Sequence, residues 1–114
     1  MPSQTAAVGD PLGRMMCHSG TYRAMAASTV QLARNLCGGR LVVCQEGGYS
    51  PTYSPFCALA VIETMAGLNS NVFDPWLGWY ASMGGQALQA HQAQAIDAVL
   101  AARAIERRVP AATA

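Results

Sequence analysis

The sequence predicts an α/β fold that is mostly helical and holds one buried strand. Three observations carry that expectation. Residues 40 to 46 (Arg40-Leu41-Val42-Val43-Cys44-Gln45-Glu46) open on a continuous apolar run without alternation, as in a strand covered on both faces. The segments on either side of it repeat their apolar residues at helical spacing. Composition is 52% hydrophobic against 11% charged, which fits a largely buried chain better than a highly solvated or disordered one. At 114 residues the length fits one domain, 1–114.

Each element has its local reason. Residues 1 to 9 carry little pattern and read as irregular, and Asp10-Pro11-Leu12-Gly13 is a turn. A helix is expected over 19–36, where Tyr22, Met25, Ala26, Thr29, Ala33 and Leu36 recur on one face, with Gly38-Gly39 to end it. After the strand comes a loop, 47–54. Ser54 is expected to cap a helix with Pro55 in its first turn, Phe56, Leu59, Ala60, Ile62 and Met65 inward, and Gly67 at its end. Beyond the Asn69-Ser70-Asn71 loop, Asp74-Pro75 repeats the capping device before Trp76, Leu77 and Trp79. A last helix is expected over 86–107, and no internal repeat is present.

Charge and cysteine usage bound the partners. Seven arginines, no lysine and six acids leave a net charge of +1, which gives no electrostatic basis for binding nucleic acid or an anionic membrane. Cys17, Cys37, Cys44 and Cys57 lack a CxxC spacing and are expected as free thiols. No apolar run is long enough to span a bilayer and no leader pattern is present, so a cytoplasmic location is expected. His18 and His91 have no acid at a supporting spacing and read as capping or surface residues.

The candidate for chemistry is Gly47-Gly48-Tyr49. It follows the expected strand, at the sheet edge where open α/β domains place their ligands. Two glycines allow a sharp turn and close backbone approach to a ligand. A neutral phenol can donate a hydrogen bond to an oxygen that becomes negative during reaction. The strand also poses a problem: it has no partner strand elsewhere in the sequence, and each unpaired buried backbone group costs roughly 1–3 kcal/mol. Its neighbours are therefore expected from a longer chain or a second polypeptide.

The stretch from Gly39 to Ser50, continuing from Pro55 through Glu63, resembles the C-terminal region of the histone deacetylase superfamily, in its bacterial class II, acetylpolyamine-deacetylase-like branch. The block Asp10-Pro11-Leu12-Gly13-Arg14-Met15, the helix from Thr21-Tyr22-Arg23, Asp74-Pro75-Trp76 and His91-Gln92 are similar too. The resemblance implies a C-terminal portion of an arginase/deacetylase-like parallel-sheet domain, from an enzyme family that uses zinc to hydrolyse acetylated lysine or acetylpolyamine amides. It implies Tyr49 as the transition-state tyrosine, with Gly47, Gly48 and Leu12 beside the substrate.

The family's paired histidines and Asp-x-His metal ligands are not in this sequence. Where a further ligating aspartate is implied, five positions before Asp10, stands Thr5, a poor zinc ligand. No metal residue and no zinc are therefore expected for this chain alone. The expected function is that of a deacetylase fragment inactive by itself. The alternatives are a non-catalytic interaction module, and a split-enzyme half completed by an upstream chain; self-association is a further expectation.

Overall fold

A computed structural model describes residues 6–13, 15–84 and 87–106. The chain divides into two compact units, Met1–Met83 and Gly84–Ala114. The first holds α1 (Ser19–Cys37), α2 (Ser54–Ala66) and the short α3 (Leu77–Ala81); the second holds α4 (Ala90–Glu106).

Helix α1 begins at His18, whose Nδ1 accepts the Thr21 N–H at 3.3 Å. The histidine thus satisfies one of the donors a helix start leaves open. Gly38, at φ 61, ends the helix in the left-handed conformation that glycine adopts without a Cβ penalty. Tyr22, Ala26 and Ala33 form its buried face, while Leu36 is exposed.

Helix α2 departs from expectation at its start. Its N-cap is Tyr53 without a side-chain cap bond, and the Ser54 hydroxyl is buried with no hydrogen-bond partner. A backbone turn replaces the expected serine cap: the Ser50 carbonyl accepts from the N–H groups of Tyr53 at 3.2 Å and Ser54 at 2.9 Å. The inward face also differs. Cys57, Ala60 and Val61 are buried, whereas Ile62 is exposed and Met65 lies at the exposed margin. Gly67 closes the helix as expected, at φ 67.

Helices α1 and α2 pack together. The core between them holds Tyr22, Ala26, Tyr53, Cys57 and Val61, and a third layer comes from Ala6, Ala7 and Val8. That N-terminal segment, expected to be irregular and without pattern, is pinned by a parallel bridge between Ala7 and Cys17. The bridge consists of Val8 N–H to the Cys17 carbonyl at 2.7 Å and Cys17 N–H to the Ala6 carbonyl at 3.0 Å.

The expected buried strand is not formed. Among the described residues no named strand exists, and residues 40–46 carry neither helix nor ladder. Val43 packs against the core while Val42 stands 88% exposed, so one side of the run is covered instead of two. The physical reason is the missing neighbour: without a second strand the backbone donors and acceptors of this run must face water. A groove of about 570 Å3 separates its later residues from Ile62 and Met65 of α2.

Two polar clusters fasten the helices. Asp74 Oδ1 accepts from the N–H groups of Trp76 and Leu77 in the turn that leads into α3, whose N-cap is Trp76, while its Oδ2 accepts the Ser19 hydroxyl proton at 2.6 Å. Glu63, a buried carboxylate of α2, accepts from Arg23 of α1 at 2.5 Å and from the hydroxyl and N–H of Ser70. The bonds from Ser70 and Arg23 hold its carboxyl down at about 2, below the ordinary 4.5. A carboxyl depressed on folding contributes its stabilisation above the unfolded value and loses it as pH falls through the folded one. Helix content of the chain, followed by circular dichroism, is therefore expected to decline as pH drops from 4.5 towards about 2. Glu63→Gln should flatten that decline; superimposable acid titrations would remove Glu63 from the account.

Candidate functional site

Gly47 and Gly48 have φ of 68 and 95, both in the region that residues with a Cβ rarely adopt. The turn they make brings the next N–H, that of Tyr49, to Asp10 Oδ2 at 2.7 Å, across 39 residues of sequence. The other oxygen of the same carboxylate accepts from Leu12 N–H at 2.9 Å and Gly13 N–H at 3.1 Å. One buried carboxylate therefore holds the Asp-Pro-Leu-Gly turn and the Gly-Gly-Tyr loop together. Burial disfavours its charge, but the N–H groups of Leu12, Tyr49, Gly13 and Ser50 outweigh burial and hold the carboxyl below the usual range.

The side chains of the two loops stay out of the core. Tyr49 is 54% exposed and Leu12 is 70% exposed. Tyr53, four residues on, is the opposite case: it is fully buried, its hydroxyl accepts the Ser19 N–H at 2.9 Å, and burial lifts its phenol to about 12. Of the two tyrosines, Tyr49 is open to solvent, while Tyr53 is part of the frame. Asp10 and Tyr53 went unrecognised in the sequence. Asp10 was visible as the first residue of a turn, but nothing local shows that its second oxygen reaches Tyr49.

Other reactive groups do not assemble. Among the described residues no three His, Cys, Asp or Glu side chains come together in a way that could hold a metal ion. Thr5, the position expected to lack a metal ligand, lies outside the described residues. The four cysteines are free, and burial pushes the Cys57 thiol up to about 12, where it is inert. No helix among the described residues is long and apolar enough to cross a membrane.

An acidic turn and a glycine-tyrosine loop are thus joined by one carboxylate, and comparison gives the chain a family. Residues 4–65 match the histone deacetylase domain, and the chain belongs to that family. Over 66 residues it is 56% identical to the histone deacetylase-like amidohydrolase of Pseudomonas aeruginosa, a match covering 58% of this chain and 17% of that protein. The family is generally zinc-dependent. The described residues offer no donor set that fits zinc.

The glycine turn yields a test. Gly48→Ala places a Cβ at φ 95, and the strain should cost about 1–2 kcal/mol. Amide exchange of the Tyr49 loop is expected to quicken in that variant. Gly78→Ala, where an added Cβ meets nothing within 4 Å, is the control that should leave the loop unchanged. Equal exchange in both variants would show that the turn does not need glycine.

Proposed function

We propose that this chain supplies the tyrosine-bearing part of a zinc-dependent deacetylase that hydrolyses acetylated lysine or acetylpolyamine amides, on an arginase-like fold. By itself the 114-residue chain is inactive. The observation carrying this reading is the shared Asp10 carboxylate, which sets the Leu12 turn beside the Gly47-Gly48-Tyr49 loop. Both loops fall inside the region that matches the family.

In this reading Leu12 lines the passage for the acyl chain, and Gly47 and Gly48 let the backbone run close to it. The Tyr49 hydroxyl donates a hydrogen bond to the amide carbonyl oxygen as negative charge builds there, and it binds that charge more strongly than the neutral ground state. Because the described residues hold no fitting metal donors, activation of water and proton transfer are assigned to groups outside them. The compartment proposed is the cytoplasm.

The test is a chimera in which the matching 66 residues of the Pseudomonas relative are replaced by those of this chain. It should deacetylate an acetyl-lysine peptide or an acetylpolyamine, and Tyr49→Phe within it should lower kcat by about 10²–10³-fold. Undiminished turnover with Phe at that position would rule out the role of Tyr49.

A second reading, an interaction module or a split half completed by another chain, is favoured by one observation. The unladdered run 40–46 borders an apolar groove of about 570 Å3. Apolar segments with open backbone edges pair with other chains. The isolated chain is therefore expected to self-associate in light scattering, and a co-expressed upstream segment of the family domain to return it to a discrete complex. A monodisperse monomer with one cooperative melt would argue against an incomplete sheet.

A further inference from the structure

We propose that Asp10 is a positioning residue that locks the Leu12 turn and the Gly47-Gly48-Tyr49 loop into one geometry, one carboxylate oxygen serving each. The inference rests on the reading of Tyr49 and Leu12 as substrate-contacting residues.

Oδ1 alone takes both local bonds, from Leu12 and Gly13 N–H, which is all that an aspartate-initiated turn requires. Asparagine could make the same turn with its one oxygen. The second oxygen of Asp10 is used differently: it accepts the N–H of Tyr49, 39 residues away, and the neighbouring Ser50 N–H also supports the carboxylate. An asparagine there would set an amide N–H against the Tyr49 N–H, so the distant contact needs a carboxylate where the local turn does not. Burial makes the arrangement demanding, because a charged oxygen removed from water must be matched by donors. These donors are backbone groups of the two loops, so a shift of either loop leaves the carboxylate underbonded.

Next to Asp10, Gly9 sits at φ 78 with the Tyr80 hydroxyl 2.7 Å from where a Cβ would stand. The acidic turn is thereby seated against the frame on one side and holds the Tyr49 loop on the other. Tyr49 receives its position through its own backbone N–H, which leaves the phenol unburdened for substrate.

The experiment is hydrogen–deuterium exchange by mass spectrometry on the 114-residue chain, comparing wild type, Asp10→Asn and Asp10→Ala. In Asp10→Asn, peptides covering Tyr49 are expected to exchange about tenfold faster or more, while peptides covering Leu12 and Gly13 stay protected. In Asp10→Ala both sets should lose protection. Peptides from α1 report whether the fold survives. Unchanged protection at Tyr49 in Asp10→Asn overturns the proposal, and so does equal loss in both loops with α1 intact. If α1 loses protection in either variant, the wild-type chain decides by itself. A scalar coupling across the hydrogen bond from the Tyr49 amide nitrogen to the Asp10 carboxyl carbon supports the lock, and its absence in an otherwise assigned spectrum overturns it. Failure of the catalytic reading is separately visible, as undiminished chimera turnover with Tyr49→Phe alongside a Tyr49 loop that Asp10→Asn still releases.

Discussion

The first unit depends on the buried side chain of Tyr53. Its carbonyl receives the Phe56 N–H and Cys57 N–H and so opens α2, while its hydroxyl accepts the Ser19 N–H at the start of α1. Its ring meets that of Tyr80 edge-on at 4.5 Å. The N-terminus of a helix leaves N–H groups without partners, and Ser19 is buried, so water cannot serve it. A phenol raised to about 12 stays neutral through the working pH range and keeps this contact constant. This residue joins the starts of α1 and α2.

The same frame fixes the candidate site. Loop 47–54 is held at both ends: Tyr49 N–H rests on Asp10, and Tyr53 is sunk in the core. Between them the Ser50 carbonyl makes the turn into α2. A segment of a few residues thus delivers one tyrosine to the interior and another to the surface with little freedom left in the backbone. Pre-ordering of this kind matters for a hydrogen bond aimed at developing charge, since a donor already in place needs no reorganisation during reaction. Asp10 meets Tyr49 through its main-chain N–H, and the Tyr49 side chain stays exposed.

Much of the fold was legible because the signals were local. Gly38 and Gly67 ended their helices, Asp74 took the N–H groups of the turn into α3, and His18 served as a capping histidine. Family membership was legible from the motifs around Leu12 and Tyr49. What escaped depended on distant partners. Ala6-Ala7-Val8 has no period of its own and becomes a core layer only through its bridge to Cys17. Ser54 has the composition of a cap, but the Ser50 carbonyl takes that place through a backbone turn. In the site, the turn half of Asp10 could be read from Asp-Pro-Leu-Gly, and the half that holds Tyr49 could not, because no sequence pattern links positions 39 residues apart.

The remaining departures are apolar residues left exposed. Val42, expected inside a strand, is exposed, and so is Ile62, expected inside α2. Ile62 lines the groove beside Val43 and Cys44, with Met65 next to it. Apolar pattern records the surroundings a segment was selected for, whereas burial records what is present to cover it. A helix tolerates the loss of a covering layer because its backbone bonds are internal, and α2 keeps its form with Ile62 in water. A strand cannot, since every ladder bond it makes belongs to a neighbour. Without a neighbour to pair with among the described residues, the run at 40–46 forms no ladder while α2 keeps its shape, and the described part of this chain of the histone deacetylase family is mostly helical.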